Sequence, residues 1–145
     1  MKKRIIFALI VGILMMLTIG AHADQATGQG QLVVHEEGMS AYVDGSGNLY
    51  ISGDPAPLNT LPATSVVSID PYRIVFISTT RSENAPEKSA LVCLDLSGKT
   101  ETTLYEDIYS ACLDTSGRLY FVPRDNRTEI RLVDFDKNVT TIAHR

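Results

Sequence analysis

His35-Glu36-Glu37 is the densest run of reactive side chains in the sequence. A zinc site of the His-Glu-x-x-His kind needs a second His one helical turn later. That position is Met39, and no helical periodicity surrounds it, so the run reads as a polar loop after a strand. Asp134-Phe135-Asp136-Lys137-Asn138 sets oxygen-bearing side chains at alternate positions, as a calcium loop begins. Such a loop needs Gly sixth and a bidentate Glu to close it. The sixth residue is Val139, so a hairpin turn is the better reading. Asp44, Ser46 and Asn48 form a similar half-site and read the same way. Gly38-Met39-Ser40-Ala41-Tyr42 lacks the closing Gly of a nucleophile elbow. No Gly-x-x-x-x-Gly-Lys phosphate cradle occurs. The tyrosines Tyr42, Tyr50, Tyr72, Tyr105, Tyr109 and Tyr120 could line a sugar or peptide surface. Asn126-Arg127-Thr128 and Asn138-Val139-Thr140 match the glycosylation sequon. Both read as chance beside the bacterial-type leader described next. The sequence therefore assigns no catalytic, cofactor-binding or metal-ligating residue and implies no cofactor.

The elements that would carry any site begin after a leader. Lys2, Lys3 and Arg4 precede an apolar run from Ile5 to Ile19, and Ala21-His22-Ala23 follows. A positive head, an apolar middle and an A-x-A end make a secretory signal peptide over residues 1–23. The run is shorter than the roughly 20 residues of a membrane span, so cleavage near Ala23 is expected rather than anchoring. No lipobox cysteine follows it. The expected location is secreted, periplasmic or cell-surface. Residues 24–31 (Asp-Gln-Ala-Thr-Gly-Gln-Gly-Gln) read as a flexible leader.

The whole chain has 145 residues, 44% hydrophobic and 21% charged, which fits one globular domain. Removing residues 1–23 lowers Lys+Arg from 13 to 10 against 17 Asp+Glu, a formal net charge of −7. That balance disfavours nucleic acid and anionic membranes, both of which need a basic face. Cys93 and Cys112 would meet an oxidising compartment. Each sits in an apolar strand-like run, so both read as buried thiols, with a disulfide as the alternative.

From residue 32 onward, short β-branched and aromatic runs alternate with turn clusters. Strands are expected at 32–35, 40–43, 48–52, 65–69, 73–79, 89–95, 101–105, 108–113, 118–123, 129–134 and 139–143. Residues 32–145 thus form an all-β domain. Asp44-Gly45-Ser46-Gly47-Asn48, Leu96-Ser97-Gly98-Lys99 and Asp114-Thr115-Ser116-Gly117-Arg118 each join two strands. A late Gly supplies the positive φ of a tight hairpin, and the leading Asp accepts bonds from the turn amides.

The chain also repeats itself. Ala41-Tyr42-Val43-Asp44-Gly45-Ser46-Gly47-Asn48-Leu49-Tyr50-Ile51 aligns with Ala111-Cys112-Leu113-Asp114-Thr115-Ser116-Gly117-Arg118-Leu119-Tyr120-Phe121. Val67-Ser68-Ile69-Asp70-Pro71-Tyr72-Arg73-Ile74-Val75-Phe76 is a weaker copy. Tyr50 and Tyr120 recur at equivalent positions, which favours packing over ligand contact. The step from Asp70 to Asp114 has the length of a four-stranded propeller blade. Residues 65–107 and 108–145 each lay out as four strands. Ile74-Val75-Phe76-Ile77 is apolar on both faces, which suits a sheet covered on both sides.

These segments resemble the secreted bacterial β-propeller repeats of the NHL and TolB groups. The resemblance covers most of residues 40–145 and implies a partial β-propeller of two to three four-stranded antiparallel blades. A small β-sandwich or barrel is the alternative architecture. Without Trp, the tryptophan–aspartate repeat and the sialidase-type Asp-box are disfavoured. A closed propeller needs about four to eight blades. An open stack leaves apolar faces that a homo-oligomer would cover. The function implied is an exported, non-catalytic binding or interaction protein whose partner is a protein or small molecule. The alternative is a fragment of a propeller-fold enzyme, hydrolase- or lactonase-like, with its catalytic groups on absent blades.

Overall fold

The computed structural model describes residues 38–144, together with the backbone of 32–34. The signal segment 1–23, the leader 24–31 and His35-Glu36-Glu37 lie outside the described residues. The described chain is all-β, with strands β1 (Leu32–Val34), β2 (Ser40–Val43), β3 (Leu49–Ile51), β4 (Ala63–Ile69), β5 (Arg73–Ser82), β6 (Ala85–Asp95), β7 (Thr100–Glu106), β8 (Ile108–Leu113), β9 (Leu119–Pro123), β10 (Glu129–Val133) and β11 (Val139–His144). All eleven expected strands are present. The largest boundary differences are at β5 and β6, which continue through polar residues to the pair Ser82 and Ala85. Arg81, Glu87 and Lys88 carry no apolar alternation, so the ladder there is set by hairpin pairing alone.

The strands form three antiparallel meanders. The N-terminal sheet is β1-β2-β3, the middle sheet β4-β5-β6-β7 and the C-terminal sheet β8-β9-β10-β11. None of them closes into a barrel. The middle sheet is buried on both faces, which explains its two-sided apolar runs. Ile74, Val75 and Phe76 are all fully buried, yet they serve two cores. Ile74 and Phe76 join Val66, Val92 and Leu94 against Ala41, Val43 and Leu49 of the N-terminal sheet. Val75 joins Leu91 and Leu104 against Ile108, Leu119, Phe121 and Val133 of the C-terminal sheet. Each such fully buried side chain contributes about 1.5–3 kcal/mol.

The two sheet contacts differ in kind. Leu119 and Phe121 are the repeat counterparts of Ile74 and Phe76. The C-terminal sheet therefore meets the middle sheet with the same face that the middle sheet turns to the N-terminal one. Ala41 and Leu49 carry that same face in the N-terminal sheet, and they too point at the middle sheet. There, equivalent faces meet each other. The turn positions agree: Gly47 O accepts from Ala63 N at the start of β4 (2.8 Å), whereas the Asp70 turn follows its end.

Residues 58–63 protect the free edge of β3. Leu58 N donates to Leu49 O (2.8 Å), and Asn59 Oδ1 accepts from Leu49 N (2.7 Å). Asn59 Nδ2 donates to Gly47 O and Leu61 O. A side chain thus completes the ladder that a fourth strand would supply, and it blunts an edge open to foreign pairing. Glu101 of β7 then ties this segment down, accepting from Thr60 N and Thr60 Oγ1 (2.5 and 2.7 Å) and from Leu61 N (3.2 Å).

Candidate functional site

The repeated acids are turn caps. Asp44 Oδ1 accepts from the amides of Ser46 and Asn48, both at 2.9 Å. Asp114 Oδ1 does the same for Ser116 and Arg118, at 2.8 and 3.0 Å. The other oxygen of each carboxylate takes the recurring tyrosine: Tyr50 Oη lies 3.4 Å from Asp44 Oδ2, and Tyr120 Oη 3.2 Å from Asp114 Oδ2. The two recurring tyrosines thus make the same contact in both turns. Asp134 caps its turn through Asn138 N and Asn138 Nδ2, both at 2.8 Å. The two segments resembling the start of a calcium loop are, as expected, hairpin turns whose leading carboxylates accept from their own turn residues. Bonds from the turn hold the carboxyls of Asp44, Asp95, Asp114 and Asp134 below the ordinary Asp range. Asn48 is the main cause at Asp44, Ser97 at Asp95, the Arg118 amide at Asp114 and Asn138 at Asp134.

The expected glycines hold the left-handed position at Gly47 (φ 85°) and Gly117 (φ 77°). In the β6–β7 turn that position falls on Lys99 (φ 49°), one residue past the expected Gly98. In the Asp134 turn it falls on Lys137 (φ 67°). Cys93 and Cys112 are free thiols. Against the expectation of two buried thiols, Cys93 is only half-buried, packed on the second core, and Cys112 is exposed.

A different set of residues lines an open groove. It lies between the middle and C-terminal sheets and has a volume of about 670 Å³, within the size range of small-molecule sites. The pairing of β4 with β5 and of β5 with β6 sets Thr64, Thr79 and Ser89 side by side along one wall. Arg124, just past β9, comes from the opposite sheet. Asp107 is the single residue linking β7 to β8, and it sits in the left-handed region (φ 55°). Its carbonyl accepts from Arg124 N (2.8 Å), and its carboxylate lies 3.2 Å from Arg124 Nε. Arg81, paired with Glu87 at 2.7 Å, and the exposed ring of Tyr109 stand at the mouth. Arg127 lies 4.4 Å from the centre of that ring.

The hydroxyls form one continuous row. Arg124 Nη2 donates to Ser89 Oγ (3.1 Å), Ser89 Oγ lies 3.1 Å from Thr79 Oγ1, and Thr79 Oγ1 lies 3.2 Å from Thr64 Oγ1. Thr64 Oγ1 donates to the Ile77 carbonyl (3.0 Å). Each hydroxyl has one proton. Thr64 spends its proton on Ile77, so Thr79 must donate to Thr64 and Ser89 to Thr79. The proton order is set from the Thr64 end, while at the other end Arg124 occupies one lone pair of Ser89.

That order decides what the cleft can do. The Ser89 proton is committed to Thr79, and the nearest nitrogen belongs to a guanidinium, which accepts no proton. An activated serine needs the reverse, a base that receives its proton. The row is a fixed set of acceptors beside a fixed set of donors. Elsewhere between the two sheets, Arg131 Nη1 donates to Tyr105 Oη (2.7 Å) and Arg131 pairs with Glu129 at 2.6 Å, which clamps the C-terminal sheet onto the middle one. Arg131 also lowers the Glu129 carboxyl, chiefly through this bond. Sequence reading had no signal for Thr79, Ser89 or Arg124, because no motif spans three strands of two sheets. Among the described residues, no group of three or more His, Cys, Asp or Glu could hold a metal ion. Comparison with known proteins finds no matching family model, no matching curated protein and no matching solved structure.

Proposed function

We propose that this chain is an exported, non-catalytic binding protein built from two successive propeller-like blades, residues 63–106 and 108–144. Residues 38–62 cap the first blade, and the ligand enters the cleft between the two. The proton order of Thr64, Thr79 and Ser89 carries the reading, because it pre-sets hydrogen-bonding groups while leaving no activated nucleophile. The shared face orientation of the middle and C-terminal sheets supports the blade assignment. The signal-like segment Lys2–Ala23 supports export.

Export is tested by fractionating bacteria that express the full chain and determining its mature N-terminus. A chain starting at Asp24 outside the cytoplasm is expected; intact Met1 in the cytoplasm overturns export. Binding is tested by hydrogen exchange with and without an envelope extract. Slowed exchange confined to the β5–β6 hairpin, Tyr109 and Arg124 is expected, and an unchanged map overturns the assignment of the cleft. Assembly is a separate question, because the C-terminal sheet leaves Ile130, Val139 and Ile142 exposed. Light scattering at several concentrations decides it. A discrete oligomer means that copies cover these residues, and a monomer means that two blades and their cap suffice.

A further inference from the structure

We infer that the cleft takes a saccharide, through hydroxyl groups laid along the Thr64–Thr79–Ser89 row. This rests on the cleft being the binding site. In the forced proton order, Thr64 and Thr79 each use their proton and one lone pair within the row. Each keeps one lone pair, so this wall offers acceptors and calls for a ligand rich in donors.

An ammonium ligand would satisfy such a wall, but the local charge opposes it. Arg81 and Arg124 line the cleft against one lining carboxylate, Glu87; Asp107, which pairs with Arg124, is not among the lining residues. The surplus is positive, although the chain as a whole is negative. A carboxylate ligand would suit the guanidinium groups and waste the acceptor row. Hydroxyl groups meet both demands, since each donates to one wall and accepts from the other. Arg124 reaches the row through Nη2, which donates to Ser89 Oγ, while its buried Nε faces Asp107 as an ion pair. Arg81 donates to Glu87 among the lining residues, a charged donor–acceptor pair able to hold neighbouring hydroxyls. Tyr109 is 56% exposed; with Arg127 over one face of its ring, only the opposite face is left for the C–H face of a pyranose.

The experiment is an amide NMR titration of the ¹⁵N-labelled protein with glucose, galactose, mannose and N-acetylglucosamine. A second arm uses trisaccharides of each, to separate free sugars from glycan segments. At least one sugar is expected to shift the amides of Thr64, Thr79, Ser89 and Tyr109 while leaving Val43 and Leu49 unmoved. Thr79→Val is expected to weaken that binding by roughly tenfold, the effect of one lost hydrogen bond of ordinary strength. Its unperturbed spectrum elsewhere shows that the fold is kept. Stronger shifts with trisaccharides identify a glycan segment as the ligand, and equal shifts a free sugar. Acetate and trialanine are titrated in parallel. If these shift the cleft amides and no sugar does, the cleft remains a binding site and the saccharide inference is overturned. If no probe shifts them, both fall.

Discussion

Arg124 and Ser89 lie 35 residues apart in the chain and on different sheets, yet Arg124 Nη2 donates to Ser89 Oγ at 3.1 Å. This bond ends the hydroxyl row and crosses the cleft, so it holds two sheets together. Arg124 is only 30% exposed, which protects the bond from full solvent competition. A double-mutant cycle of Arg124→Met and Ser89→Ala should give a coupling of about 1 kcal/mol in urea unfolding. Additive effects would mean that the bond is not formed in solution.

Lys137 occupies the place in the Asp134 turn that Gly47 and Gly117 hold in the equivalent turns. A non-glycine residue in this region costs about 1–2 kcal/mol. Lys137→Gly should therefore stabilise the protein by about 1 kcal/mol and raise Tm by about 4 °C. An unchanged or lowered Tm would show that the left-handed turn is not populated.

The capped carboxyls of Asp44, Asp95, Asp114 and Asp134 are lowered by bonds that exist only in the folded state. Below the ordinary Asp value of 3.8, the unfolded chain therefore binds more protons than the native one. The stability these groups contribute is fully present above that value and is lost as pH falls through the lowered native values. Thermal unfolding followed across the acid range should show Tm falling with pH. Asp114→Asn should make that slope shallower. An identical slope in the variant would remove Asp114 from the account.

Glu101 receives two amides and a hydroxyl from Thr60 and Leu61, although it lies on the outer strand of the next sheet. It anchors the segment that protects the β3 edge. Glu101→Ala should cost about 1 kcal/mol and speed proteolysis between residues 52 and 62 more than elsewhere. Cleavage spread evenly over the chain would deny it this role.

Cys112 is exposed, while burial pushes the Cys93 thiol up. Burial and the raised thiol pKa both disfavour reaction at Cys93, and access favours Cys112. Iodoacetamide followed by peptide mass mapping should therefore modify Cys112 first. Equal rates would place Cys93 at the surface.

Much of this molecule was legible without tertiary information. Strand positions follow from alternation of apolar residues, and every one of the eleven strands is present. The caps Asp44 and Asp114 follow from side-chain-to-backbone bonds spanning two to four residues. Ile74-Val75-Phe76 announces a sheet covered on both faces, because consecutive strand residues point in opposite directions. Local hydrogen bonding and side-chain period settle such features, and both are short-range.

Other features were decided only when the sheets met. Turn composition placed the left-handed residue at Gly98, and the β6–β7 pairing moved it to Lys99. The repeat shared by Ala41–Ile51 and Ala111–Phe121 suggests equivalent placement, yet one sheet caps the middle sheet and the other continues from it. The apolar pattern is the same in both, and the strand number, the connections and the covered edge of β3 distinguish them. The cleft is further still from the sequence. Thr64, Thr79, Ser89 and Arg124 are ordinary residues singly, and they become a proton-ordered row only through strand register and contact between sheets.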